Sequence, residues 1–130
     1  METDIYFTTE IIVPPPLHAV SREIGACVEF LGIVREQEGA RALAGLQYEA
    51  YETMARRAFE GILAELVVLH PCAATTVIHR LGWVPVGEAS LFVRVQAKHR
   101  GSALALCGAL IDRMKEEVPI WKEGGLNFKA

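Results

Sequence analysis

The sequence predicts an α+β fold: two main helices packed on a mostly antiparallel sheet. Two segments place apolar residues at helical spacing, five others are short β-type runs, and the order strand, strand, strand, helix, strand, strand, helix suits helices laid on one sheet. At 130 residues and 52% hydrophobic content, the chain is expected to form one domain over 1–130.

A short strand over residues 4–9 opens the chain, and Pro14 to Pro16 form a local spacer after it. Gly25 to Val34 (GACVEFLGIV) is an apolar β-type run and Ala42 to Tyr51 (ALAGLQYEAY) a partly alternating one, read as a strand pair. The polar, Gly-bearing stretch Arg35 to Arg41 reads as a mobile loop between them. Glu52 to Leu69 carries Met54, Ala58, Ile62, Leu66 and Leu69 at helical spacing, and Pro71 ends it. Thr75 to Leu81 and Ser90 to Ala97 are strands, with Gly82 to Ala89 a turn-rich connection. In the second of them Leu91, Val93 and Val95 alternate with Phe92, Arg94 and Gln96. A second helix runs from an N-cap at Ser102 to about Val118, where Pro119 disfavours continuation. The tail 124–130 is expected to be short and loosely held.

Composition excludes several classes. A net charge of −3 gives no broad basic face for nucleic acid. No stretch approaches the roughly 18 apolar residues of a membrane span. Met1 to Glu10 lacks a basic n-region and an apolar core, so no signal peptide is expected and the cytoplasm is the expected compartment. Cys27, Cys72 and Cys107 are widely spaced among apolar neighbours and read as reduced, buried core thiols; a thiol-dependent acyltransferase using Cys27 or Cys107 is a competing reading. His18, His70, His79 and His99 lack metal-ligand spacing, and no phosphate-binding glycine motif is present, so neither metal nor nucleotide cofactor is implied.

The candidate chemistry lies around the second helix. Lys115 falls on the row Leu104, Cys107, Ile111, Val118, where an apolar residue is expected. It is either a snorkelling stem at the edge of the stripe or a partly desolvated lysine at the floor of a pocket. Seven residues on, Pro119-Ile120-Trp121-Lys122 brings a second lysine to the same helix end on a stiffened segment. At the opposite end, Lys98-His99-Arg100 puts cationic groups where the helix dipole disfavours them, which suits a bound anion such as phosphate as well as a solvated basic turn. A helix from Ser102 to Lys115 spans about 20 Å, so Arg100 and Lys115 of one chain cannot share a small-molecule site. If both serve one site, a homodimer must join them. Arg35 ends an apolar run, where a strand hands a side chain to a site. His79-Arg80, inside a strand before a turn, reads as structural.

GACVEFLGIVR (Gly25 to Arg35), VIHRLG (Val77 to Gly82), Gly87-Glu88, Lys98-His99-Arg100 and KEEVPIWK (Lys115 to Lys122) together resemble the molybdopterin synthase catalytic subunit family in order and spacing, over most of the chain. The resemblance implies an α/β-hammerhead-like domain, a central dimer of large subunits, and a small ubiquitin-like sulfur-carrier subunit at each outer end. It implies a sulfurtransferase: the carrier's Gly-Gly thiocarboxylate gives two sulfurs to cyclic pyranopterin monophosphate, forming the dithiolene of molybdopterin. It places Lys115 and Lys122 as pocket lysines with the catalytic roles, Phe30 and Arg35 as pocket-lining residues that bind substrate, and His99 and Arg100 as substrate-binding residues from the second subunit. The family continues after the second lysine with another basic residue and a longer tail, whereas Glu123-Gly124-Gly125 follows here. A non-catalytic dimeric homologue that binds a ubiquitin-like tail or a phosphorylated metabolite is the alternative.

Overall fold

The computed structural model describes residues 1–123. Four strands form the main sheet: β1 (Glu2–Thr8), β2 (Ala26–Ile33), β6 (Ala74–Arg80) and β8 (Ala89–Ala97), in the order β1-β6-β8-β2. β1 runs parallel to β6, and the other two pairings are antiparallel. β5 (Gly45–Ala50) is the centre of a second, antiparallel sheet, flanked by β7 (Gly82–Pro85) and β9 (Ile120–Glu123). Two-residue strands β3 (Gln37–Glu38) and β4 (Arg41–Ala42) pair with each other. The helices α1 (Glu52–Leu69) and α2 (Arg100–Glu117) pack on one face of the main sheet.

β8 organises the core because both of its faces are covered; residues 90–97 are all buried. Leu91, Val93, Val95 and Ala97 meet Ala55, Phe59, Ile62, Leu63 and Leu66 of α1 and Ala103, Leu106, Cys107 and Leu110 of α2. Phe59, Leu63, Leu106 and Leu110 are enclosed almost completely, and each contributes about 1.5–3 kcal/mol of burial. On the opposite face stand Phe92, Arg94 and Gln96, under a strap of irregular chain, residues 9–25. Gln96 accepts the Val20 backbone N–H (2.9 Å) and donates to the His18 carbonyl (3.1 Å). Arg94 donates to the Pro15 carbonyl and pairs with Glu29 of β2 at 2.6 Å. The polar members of the β8 alternation thus replace water as partners of the strap's backbone.

The α+β class is as expected, and the structure corrects several details. β1 begins two residues before the expected 4–9. β2 and β5 were expected to pair, but they lie in different sheets, because β2 pairs with β8 and β5 with β7 and β9. The stretch between them forms the β3–β4 pairing rather than plain loop. The expected strand Ala42 to Tyr51 is divided between β4 and β5, and the turn-rich Gly82 to Ala89 contains strand β7. α1 has the expected span, but its buried face is rotated: Met54 and Leu69 are exposed, while Ala55, Phe59 and Leu63 face the core. α2 begins at Arg100 with His99 as its N-cap, three positions before the expected N-cap Ser102, and has no side-chain cap. The expected tail 124–130 lies outside the described residues. No helix among the described residues is long and apolar enough to cross a membrane.

Candidate active site

A cleft of about 360 Å³ opens where the end of β2, the second sheet and the last turns of α2 meet. Val34, Leu43, Leu46, Leu91, Ile111, Met114 and Ile120 supply its apolar wall. Arg35, Gln37, Tyr48, His79, Ser90, Lys115 and Lys122 supply the polar groups.

Arg35 is positioned by the exit of β2. The register shifts between Gly32 and Ile33, a bulge that re-aims the strand. Val34 then exchanges backbone hydrogen bonds with the connection before β8: its N–H donates to Glu88 (3.0 Å) and its carbonyl accepts from Gly87 (2.8 Å). Gly87 has φ of +91°, a conformation glycine adopts at no steric cost. Glu88 in turn holds buried Arg80 at 2.6 Å. Arg80 therefore anchors the wall that presents Arg35, and the structural reading of Arg80 agrees with this placement. Phe30 faces the helices opposite Val93 and leans over Gly32, where a Cβ would stand 3.3 Å from the Phe30 ring.

Lys115 sits on the last turn of α2, where a cation is favoured by the helix dipole. The row assigned to it needs correction. Leu104 is 57% exposed, and the buried stripe runs through Ala103, Leu106, Cys107 and Leu110. Ile111 and Met114 turn toward the cleft, and Lys115 is an exposed residue on its rim rather than on its floor. The helix ends at Val118, whose N–H donates to Met114 (3.1 Å). Pro119 then directs the chain into β9, which pairs Lys122 with Tyr48 and Trp121 with Glu49 of β5. Trp121 also rests against Tyr51, ring centroids 5.1 Å apart.

Four of the six residues singled out in the sequence, Phe30, Arg35, Lys115 and Lys122, thus line one cleft from three separate parts of the chain. His99 and Arg100 do not. They are exposed at the other end of α2, about 22 Å along the axis from Lys115. Lys98 beside them pairs with Glu23 at 3.4 Å. Tyr48 was not singled out in the sequence, and His79 was read as structural; both line the cleft. His79 shares strand parity with core-facing Val77 and lies opposite Leu91, so it projects to the helix side at the cleft end of the sheet. In the sequence His79 shares its strand parity with Thr75 as well as Val77, so no local pattern marked it.

Among the described residues, no cysteine lines the cleft. Cys107 is buried as expected, Cys72 is half-buried with its thiol toward the Ser102 carbonyl (3.5 Å), and Cys27 is exposed on β2, contrary to expectation. β2 is an edge strand, so its alternate residues are not all covered. Burial raises the Cys72 thiol to about 11. Burial, then the Glu29 carboxylate, also raises Cys27, and burial raises Cys107. These shifts suppress thiolate, the opposite of nucleophile activation.

The sequence profile of the family described as "MoaE protein" matches residues 8–117. The chain belongs to the MoaE family. Among relatives, the molybdopterin synthase catalytic subunit of Oryza sativa subsp. indica is 43% identical over 106 residues, covering 82% of this chain and 55% of that protein. The chain therefore spans little more than half the length of that relative. The Pyrococcus abyssi molybdopterin synthase catalytic subunit is 39% identical over 102 residues, 78% of this chain and 69% of the relative. Among solved structures, molybdopterin synthase from Staphylococcus aureus superposes with a TM-score of 0.80 at 30% identity, covering 91% of this chain and 88% of that one. A protein–protein complex of subunits 1 and 2 of molybdopterin-converting factor from Helicobacter pylori matches at TM-score 0.67 and 30% identity, over 79% of this MoaE-family chain and 67% of its counterpart.

Proposed function

We propose that this chain is a molybdopterin synthase catalytic subunit, a sulfurtransferase that moves sulfur from the C-terminal thiocarboxylate of a small ubiquitin-like carrier to cyclic pyranopterin monophosphate, forming the molybdopterin dithiolene. The observation that carries the reading is the convergence of Phe30, Arg35, Lys115 and Lys122 on one cleft in a MoaE-family chain. Sulfur arrives on the partner, so the site needs no thiol of its own. It must supply positive charge for the phosphate and for the oxyanion that develops at the thiocarboxylate carbon. Lys115 stabilises that oxyanion, or captures the acyl tail when deprotonated. Lys122 orients the pterin or transfers a proton to it. Arg35 holds the phosphate, joined by His99 and Arg100 of a second copy, because one α2 cannot bring both of its ends to one ligand. The assembly is then a homodimeric core with a carrier bound at each outer end. The reaction takes place in the cytoplasm, a compartment in which free cysteines such as these persist.

The test is conversion of cyclic pyranopterin monophosphate to molybdopterin by this protein mixed with thiocarboxylated carrier. Wild type is expected to turn over, and Lys115→Ala to lose about 100- to 1,000-fold in rate while still binding the carrier. Carrier binding by wild type without turnover, with a demonstrably active donor, would mean a non-catalytic binding module instead.

A further inference from the structure

His79 is a cleft residue whose acid–base chemistry the sulfur-transfer reading leaves unused. Only 3% of its surface is exposed, and its ring borders the cleft. Nδ1 lies 2.8 Å from the carbonyl oxygen of Arg80. That oxygen has no proton to donate, so Nδ1 carries the proton and the neutral ring keeps its lone pair at Nε2. Tyr48 meets the ring edge-on, centroids 5.1 Å apart and planes at 65°, which fixes the orientation. Burial lowers the pKa, with the Arg80 carbonyl partly offsetting it, so the ring is neutral near pH 7. The titratable groups that share the cleft with it are Tyr48 from β5, Arg35 beyond β2, Lys115 from α2 and Lys122 from β9, and behind it Arg80 pairs with Glu88. Among the described residues, no Asp or Glu lines the cleft.

Sulfur transfer requires a base. Once the carrier's sulfur has bonded to a pterin carbon, it is still bonded to the carrier's acyl carbon as a thioester. Water must break that bond: its oxygen bonds to the acyl carbon while one proton leaves, and the carbon–sulfur bond then breaks. The carrier departs as a carboxylic acid, which ionises in solvent, and the pterin keeps the sulfur as a thiolate. Lys115 is committed to the oxyanion and Lys122 to the pterin, and the guanidinium of Arg35 does not deprotonate in proteins, so none of the three is left to accept the proton that water loses.

We propose that His79 is the base of this cleft, its Nε2 accepting the proton of the water that splits the acyl–sulfur bond. The inference rests on the sulfur-transfer reading. Lys115 holds the oxyanion formed as water adds, and the imidazolium returns its proton to solvent before the next cycle.

Single-turnover reactions with thiocarboxylated carrier, followed by mass spectrometry of the carrier from about pH 5 to 8.5, test it. His79→Asn keeps an amide near the position of Nδ1, able to donate to the Arg80 carbonyl, and removes the base. His79→Gln is the second variant. In both, thioester cleavage is expected to slow by about 100-fold or more, with carrier binding unchanged. A covalent carrier–pterin adduct should accumulate, and the acid-side fall in rate expected of wild type should disappear. Wild-type cleavage rates and the NMR titration of the His79 ring should share one midpoint below 6.5. Variants that cleave at the wild-type rate with an unchanged pH profile overturn the proposal, and so do two different midpoints in wild type, a measurement that needs no variant to fold. Wild type that makes no molybdopterin instead defeats the sulfur-transfer reading itself.

Discussion

His79 is enclosed, and burial lowers its pKa from the 6.5 of an exposed imidazole. As pH falls through 6.5 the unfolded chain takes up a proton that the folded chain still refuses, and the equilibrium shifts toward unfolding. The stability contributed by neutral His79 is therefore fully present above about pH 6.5 and is lost as pH falls toward its folded value. Urea denaturation midpoints are expected to drop between pH 7 and pH 5, and the drop should be shallower in His79→Gln; identical slopes would mean that this histidine does not carry the linkage. The lysines and His79 differ in how visible they were. Lys115 and Lys122 could be read because each breaks a local pattern: a cation near an apolar helical row, and a cation after a rigid Pro-x-Trp. Even so, each residue of a helix advances about 100° around the axis, so neighbouring rows are easily confused, and the row through Lys115 includes exposed Leu104. A single polar residue in a strand breaks no such pattern, because both faces of a strand tolerate it until the packing partner is known. In this protein that partner is Tyr48, which belongs to the other sheet.

The elements differ in the same way. α1 and α2 were legible because apolar spacing over 18 residues is long enough to define a period. β7 and β9 have four residues each, too few for alternation to separate strand from turn, and what makes them strands is hydrogen bonding to β5. The strap over residues 9–25 has no period at all. It is ordered by partners from β8, above all Gln96, whose amide meets the backbone of both His18 and Val20. Gln96→Ala deletes both part-buried bonds, a cost of about 0.5–1.5 kcal/mol for each. A fall in urea midpoint is expected, together with faster limited proteolysis confined to residues 9–25. Cleavage spread evenly over the chain would show that Gln96 supports the core rather than the strap. Since β2 leaves the strap-covered region and ends at Ile33, two residues before Arg35, the same experiment separates a defect in strap anchoring from one in the cleft: turnover per folded molecule should hold.

At the scale of the whole molecule, the length of α2 decides the architecture of the site. Lys115 borders the cleft and Arg100 begins the same helix about 22 Å away, so the proposed site takes its lysines from one copy and His99 and Arg100 from another. A two-fold dimer of such chains has two composite sites, each using one cleft and the other chain's α2 start. Lys115→Ala spoils the cleft, and Arg100→Ala spoils the contribution to the partner's cleft, so each variant alone loses both sites of its homodimer. Equal amounts of the two, unfolded together and refolded, give mixed dimers as half of the population if assortment is random. In a mixed dimer one site inherits both lesions, while the other joins an intact cleft to an intact helix start. One site in two, in one dimer in two, restores about a quarter of wild-type turnover. A site completed within a single chain gives no such recovery, because every cleft then carries the lesion of its own chain. Activity of the mixture no greater than the mean of the two separate variants would therefore remove His99 and Arg100 from the site and leave Arg35, Lys115 and Lys122 to hold the phosphate alone.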